Sequence, residues 1–502
     1  MRLAELLEDV QVLKFFSLMF GKMVLTQDVT IRAVQYDSRK VERSDLFVAI
    51  RGTAADGHAF IGNAVDRGAA VVVVEIDAAM PDAFFMHAGV IKIVVPDSRK
   101  ALAQIAANFY RHPSRRMMLV GVTGTNGKTT TTHLIKSVLE AGGATVGLIG
   151  TIEYKIGAET VPATHTTPES LELNQLLAAM SERGCSAAVM EVSSHSLAMS
   201  RVHGLDFRAA VFTNLTQDHL DFHGTMESYF GAKKMLFDTL SARAVAITNA
   251  DDPSGARMVA GTGAEILTYG VQKPASVTVS NINVSVSGIS LTVHRGAQSV
   301  EVLSPLSGRF NVSNILAAYV TGVALGLPDE RIVEGIAAVK AVRGRFEQIV
   351  SPRGWTAIVD YAHTPDALES CLRTILDLLP RESGGRVITV FGCGGNRDRG
   401  KRPVMGRIAS ELSDLTIVTS DNPRKEDPES IIDEIIRGVV PGRNVRRVVD
   451  RRTAIRTALG EAQPGDVVLI AGKGHEDYQV VGEAKSHFDD REQIERWIRE
   501  IP

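Results

Sequence analysis

The chain repeats one unit: a short Val/Ile-rich run, a Gly-rich or polar turn, then a helix with one apolar face. This rhythm constrains the fold more than any other feature. Unbroken apolar runs suit strands buried on both faces, and parallel strands need a helical crossover between neighbours. The pattern therefore predicts βα units around mostly parallel sheets. In residues 1–111 it places strands at 71–76 and 91–95 and a helix at 98–110, with Ser98 as N-cap. The basic, Pro-containing stretch 111–116 reads as a linker. A second region has strands at 117–123, 187–192, 209–212 and 244–248, with a helix that ends at Gly142-Gly143. Residues 277–302 alternate Val/Ile with Ser, Asn and Thr, which reads as antiparallel strands or an edge ribbon. A third region, from near Gly344, has strands at 357–360, 387–391, 415–419, 445–449 and 467–470. Helical patterns at 366–379, 403–412, 428–437 and 454–462 lie between them, making a doubly wound α/β unit. No repeat or low-complexity segment is present. At about 150 residues per domain, 502 residues imply about three domains.

Composition narrows the function. Lys plus Arg number 55 against 58 Asp plus Glu, a net charge of -3, so no basic field supports a nucleic-acid partner. The 44% hydrophobic and 23% charged content is that of a soluble globular chain. Three cysteines without a CxxC pair fit a reducing cytoplasm. No apolar run is long enough to span a bilayer. At the start, Glu5, Glu8 and Asp9 precede an apolar stretch that Lys14 interrupts, which is unlike a signal peptide. The expectation is a cytoplasmic monomer acting on small molecules, with no membrane insertion.

The segment Gly121-Val-Thr-Gly124-Thr125-Asn126-Gly127-Lys128-Thr129-Thr130 follows a predicted strand and opens a predicted helix. Glycines let several backbone N–H groups face one anion, and the helix start adds its positive dipole end. Lys128 would reach the β/γ-phosphates and the Thr129 hydroxyl would ligate Mg²⁺. The spacing departs from strict GxxxxGK[ST], because Val122 stands where the first glycine belongs. A solvent-facing lysine on a Gly-rich turn is the plain alternative. Glu191 ends a strand, where a carboxylate oxygen suits Mg²⁺ or simply caps the strand end. The stretch Phe212–Gly224 carries Asn214, Asp218, His219, Asp221 and His223, a second cation cluster or a capped turn. Lys233-Lys234 reads as a solvated pair.

The spelling GTNGKTT, with the later motifs, resembles the Mur ligases. These are ATP-dependent amide-bond-forming enzymes of peptidoglycan synthesis, with folylpolyglutamate synthetase among their relatives. The resemblance spans about Tyr36 to Glu476, with motifs in family order. It implies a smaller N-terminal α/β domain at 1–112 for a UDP-sugar and a central P-loop ATPase-like parallel-sheet domain at 113–342. A C-terminal Rossmann-like domain at 343–502 would take the incoming amino acid. It implies ATP at Gly124, Thr125, Asn126, Gly127, Lys128, Thr129 and Thr130. Asn311 and Asn314 would lie at the adenine, although either could cap a helix; Arg345 would approach the phosphates and Asp360 the ribose. Mg²⁺ ligands would be Thr129, Glu191, His219 and Lys233, the last as a carbamate whose anionic oxygens replace a repelling ammonium. Lys128, Lys233 and Arg345 would be the catalytic side chains.

For the UDP-sugar and its dipeptide the resemblance points to Tyr36, Ser38, Thr53, Ala54, Ala55, His165, Thr166, Thr167, Ser193, Met199 and Arg201. Thr53-Ala54 stands where some members have His-Gln. His165 replaces an asparagine and Met199 a glutamine. The motif Asp421-Asn422-Pro423-Arg424 resembles the branch that adds meso-diaminopimelate. An Asx-Pro turn with a surface arginine is its plain reading. An arginine suits the distal carboxylate of that substrate and repels the distal ammonium of lysine. Arg397, Gly472 and Glu476 match companion contacts, Glu476 with the substrate ammonium. The alternatives are a lysine-adding or other Mur-type ligase, and a P-loop nucleotide-binding protein that performs no ligation.

Overall fold

In the first sheet the rhythm becomes geometry. Strands run in the order Lys14–Phe16, Ile91–Val94, Val71–Val74, Leu46–Val48, Val34–Gln35. All neighbours are parallel except Lys14–Phe16, which pairs antiparallel with Ile91–Val94. Successive residues serve opposite faces. Leu46, Val48, Val71 and Val73 pack with Leu102 and Ile105, whereas Phe47, Ala49, Val72 and Val74 pack with Ile61 and Phe85. Two-sided burial is why these strands read as continuous apolar runs. The antiparallel edge escaped that reading because Lys14 interrupts it; its ammonium pairs with Asp77 and Asp82.

The computed structural model describes residues 1–19, 22–23, 25, 29–52, 55–285, 287–379 and 384–500. The chain forms two compact units: Met1–Gly121 with Ala144–Ala210 and Met235–Ala244, and Val122–Gly143 with Val211–Lys234 and Val245–Pro502. In the first unit a second sheet runs Glu159–Pro162, Glu153–Ile156, Val146–Ile149, Ala187–Glu191, with only the last pair parallel. In the second unit Val245–Asn249 lies parallel to Glu265–Tyr269. Strands Thr278–Ser285, Gly288–Arg295 and Gln298–Ser304 form the antiparallel ribbon that period-two alternation predicts.

The last sheet runs Glu347–Val350, Thr356–Asp360, Val467–Ala471, Val387–Phe391, Leu415–Val418, Val445–Arg447. It is parallel except for the antiparallel edge Glu347–Val350. Separate apolar clusters cover its two faces. Two local expectations need correction. Asp97, not Ser98, caps helix Ser98–Phe109, because its carboxylate reaches the N–H groups of Arg99 and Lys100. Gly121 lies inside strand Met118–Thr123 rather than in a loop, and Phe207 fills the space a side chain would need. Among the described residues no helix is long and apolar enough to cross a membrane.

Candidate functional site

The Gly-rich loop leaves its strand at Gly124, with φ +148, and Gly127, with φ +85, precedes helix Lys128–Ala141. A Cβ at Gly124 would meet Thr213 Oγ1 at 1.9 Å, and one at Gly127 would meet Asn314 Oδ1 at 2.4 Å. Both positions therefore exclude side chains as well as favouring glycine. Lys128 Nζ donates to Gly124 O (3.0 Å) and Thr125 O (2.8 Å). Arg345 Nη2 donates to Thr129 Oγ1 at 3.0 Å and its guanidinium stacks over Tyr361. Thus Lys128, Thr129 and Arg345 converge on the start of one helix, whose N–H groups and positive dipole end favour an anion. Thr130 is buried in the same turn.

Asn126 Nδ2 donates to Asp366 Oδ2 at 2.8 Å. Asp360 accepts from Phe346 N at 2.6 Å; burial pushes its carboxyl up, against the pull of nearby Arg345. Asn311 and Asn314 are buried, and their amides bond Ser307 O, each other and Thr131. They brace the glycine loop.

Lys233 sits on helix Met226–Asp238, is fully buried, and donates to Gly124 O at 2.8 Å with its ammonium over the Tyr229 ring. It is not the solvated lysine that the sequence alone suggested. Burial, helped by repulsion from Lys128 and opposed by Asp218, holds its pKa well below the ordinary lysine value. Lowering the pKa raises the share of uncharged amine, the nucleophile that addition to CO₂ requires. His219 is brought down to about 4 by burial, against the pull of Asp218, so its imidazole is neutral and fit for a metal. Asp218 is half-buried; desolvation pushes its carboxyl up, but His363, His219 and Lys401 hold it below the usual carboxylate range. Among the described residues no cluster of three or more His, Cys, Asp or Glu side chains is gathered for a metal. Mg²⁺ does not require one, since phosphates and water complete its shell.

In the first unit Glu191 ends strand Ala187–Glu191 and accepts from Thr151 N (2.8 Å) and Thr151 Oγ1 (3.0 Å). Thr151 in turn meets Thr166, and Thr167 Oγ1 donates to Glu191 O. Ser193 N donates to Thr167 Oγ1, and its own hydroxyl caps helix Ser194–Ala198. Arg201 donates to Thr167 O and pairs with Glu169, which Arg99 also engages. Met199 Sδ takes a contact from Arg201, and His165 is exposed. Tyr36 donates to Glu172 at 2.9 Å, Ser38 is buried, and Ala55 O accepts from Gly52 N. Thr53 and Ala54 lie outside the described residues.

Three loops at strand ends in the second unit build one polar pocket. Asn422 Nδ2 donates to Glu476 Oε2 at 2.8 Å, and Lys473 Nζ reaches the same oxygen at 3.1 Å. Asp421 lies beside them, with Gly472 close to its Oδ2. Arg424 has φ +52, and its guanidinium donates to Gly395 O while its backbone pairs with Val480 and Gly482. The turn from Pro423 is thereby fixed on both sides. Arg397 is exposed and donates to its neighbour Asn396 O. Burial first, then the Asp421 charge, pushes Glu476 up; Lys473 and Asn422 pull it down.

The sequence reading passed over Lys473, Glu169 and His363, and took Asp218 only as part of a cation cluster or a capped turn. Lys473 offered a signal, since it lies inside the Gly472–Glu476 motif; the others acquire partners only through the fold.

Comparison with known proteins finds a family for the whole chain. Residues 30–110 match the Mur ligase family, catalytic domain; 122–322 the Mur ligase middle domain; and 344–474 the Mur ligase, glutamate ligase domain. The UDP-N-acetylmuramoyl-L-alanyl-D-glutamate–2,6-diaminopimelate ligase of Geobacter metallireducens is 46% identical, covering 94% of each chain. The enzyme of that name from Clostridium tetani is 42% identical over 100% of each. A solved structure titled with the same ligase aligns at TM-score 0.67 and 32% identity, covering 95% of this chain and 96% of that one. The fold is thus α/β with three domains: a small N-terminal one, a central nucleotide-loop sheet and a C-terminal Rossmann-like sheet. With its loop, its buried lysine and its three-loop pocket in one chain that these relatives match end to end, the protein belongs to the Mur ligase family.

Proposed function

We propose that the chain is an ATP-dependent acid–amino-acid ligase of peptidoglycan precursor synthesis, working as a cytoplasmic monomer. It joins meso-diaminopimelate to the D-glutamate γ-carboxylate of UDP-N-acetylmuramoyl-L-Ala-D-Glu. The observation that carries this reading is the pocket in which Asp421, Asn422, Arg424 and Glu476 meet at the strand ends. Residues 1–112 take the UDP-sugar through Tyr36, Ser38 and the backbone of 53–55. Residues 113–342 take ATP, and residues 343–502 take the amino acid. His165, Thr166, Thr167, Ser193, Met199 and Arg201 line the dipeptide arm.

Two steps follow. A γ-carboxylate oxygen attacks the γ-phosphorus of ATP and ADP leaves; then the amine attacks the acyl carbon, loses a proton, and phosphate leaves. Lys128, Arg345 and the 124–130 backbone neutralise the migrating phosphoryl group, and Asp360 orients the ribose. Asn311 and Asn314 meet the nucleotide beside the loop they brace. Mg²⁺, when bound, screens the phosphate charge. In the second unit Thr129, His219 and Lys233, as its carbamate, are the side chains to hold it. Glu191 keeps the metal-binding role that the family resemblance gives it. Arg424 receives the distal carboxylate of diaminopimelate with Arg397 beside it, and Gly472 and Glu476 receive its ammonium. The group that takes the proton from the attacking amine is not assigned.

The test is phosphate release from ATP and the UDP-dipeptide with each amine in turn. Release with diaminopimelate alone is expected. Equal release with lysine would move the chain to another branch, and release without any amine would remove the ligase reading.

A further inference from the structure

One cation in the amino-acid pocket has no assigned part in the reaction. Lys473 is fully buried, lies 3.1 Å from Glu476 Oε2 and 3.7 Å from Asp421 Oδ1, and faces Asn422 Oδ1 at 3.4 Å. Asp421 Oδ1 is buried without a hydrogen-bond partner among the described residues. Two carboxylates thus share one ammonium, while the Arg424 guanidinium in the same pocket turns to Gly395 O and Asn422 O. A buried charge without a partner is costly, so the pocket is matched to one further cation.

We propose that Lys473 sets the charge of this pocket: by neutralising one carboxylate of the Asp421/Glu476 pair it keeps Glu476 ionised to receive a single substrate ammonium. The inference rests on the reading above that Glu476 meets that ammonium. Lys473 is a positioning residue, since it acts through Glu476. The other groups around Glu476 are Asn422, Tyr361, Tyr478 and, at the start of helix Arg451–Glu461, Arg451. Arg451 is already committed to Asp490 in a fully buried pair, which leaves Lys473 as the cation in contact with Glu476. Without it, burial and Asp421 act on Glu476 with less opposition.

The experiment compares Lys473→Met, Lys473→Arg and Glu476→Gln by the pH dependence of the KM for diaminopimelate. Ionised Glu476 binds the ammonium and protonated Glu476 does not, so KM rises as pH falls through its pKa. In Lys473→Met that limb moves to higher pH by about one unit, which is about a tenfold rise in KM at a fixed pH on the limb. The KM for ATP stays within about twofold, and Lys473→Arg returns most of the limb. A merely structural lysine would lower the melting temperature and the active fraction but leave the limb in place. An unmoved limb in Lys473→Met, with Glu476→Gln raising KM, overturns the proposal alone. If Glu476→Gln leaves KM unchanged, the reading of Glu476 fails and this inference falls with it.

Discussion

Lys233 and Lys473 are both fully buried in the second unit, and their surroundings could hardly differ more. Lys233 touches a carbonyl, an aromatic face and the field of a second lysine. Lys473 touches one carboxylate and lies near another. The same side chain thus has its pKa pressed down in one place and is an ion-pair partner in the other. Sequence shows a lysine beside a polar motif in each case. What separates them is whether a carboxylate touches the amine directly, as Glu476 touches Lys473, or acts only from a distance, as Asp218 does on Lys233.

The largest expected effect tests the first half of that contrast. Lys233→Ala lowers turnover by about 10²–10³-fold, the scale of losing one group that acts on the migrating phosphoryl charge, and added bicarbonate does not restore it. Near-normal turnover would mean that the amine is only packing. In the other pocket, Arg424→Lys raises the KM for diaminopimelate about 10–100-fold. That corresponds to about 1.5–3 kcal/mol for a charged, forked hydrogen bond, and the KM for ATP should not move. A parallel rise in both constants would show that the turn had collapsed rather than lost a contact.

A third prediction uses the depressed pKa of Lys233. Between its lowered folded value and 10.5 this group binds fewer protons in the folded chain than in the unfolded chain, so stability rises with pH across that window. Lys233→Met lacks this term. In CO₂-free buffer the wild-type melting temperature should gain on that of the variant as pH rises from 7 to 10, with a slope of at most about 1.4 kcal/mol per pH unit from this group. Parallel curves would place a charged lysine at 233 and erase the contrast. The smallest effect is a control in the first unit, at a residue that neither pocket uses. Asp97→Ala removes an N-cap and costs about 1 kcal/mol of stability, with the KM for diaminopimelate unchanged.

Much of the architecture was legible because burial on both faces writes itself into sequence. Strands Ala209–Phe212 and Val387–Phe391 fall where their apolar runs place them. Antiparallel edges were not legible: Lys14–Phe16 and Glu347–Val350 are short, carry charge and gain their place from a neighbour. Motif residues of the nucleotide loop and of the Asp421–Arg424 turn were visible because glycine and Asx-Pro chemistry is local. Glu169, which Arg99 and Arg201 share, was invisible, since its partners stand 70 and 32 positions away.

The amino-acid order by itself determined the α/β layering, the phosphate-type loop and the arginine of the Asp421–Arg424 turn, because each depends on periodicity or on a few adjacent residues. Only the tertiary structure decided which lysine has its pKa lowered, which is paired, and that Asn311 and Asn314 brace a loop. Those properties depend on what fills the space around a side chain, and neighbours far apart in sequence supply it.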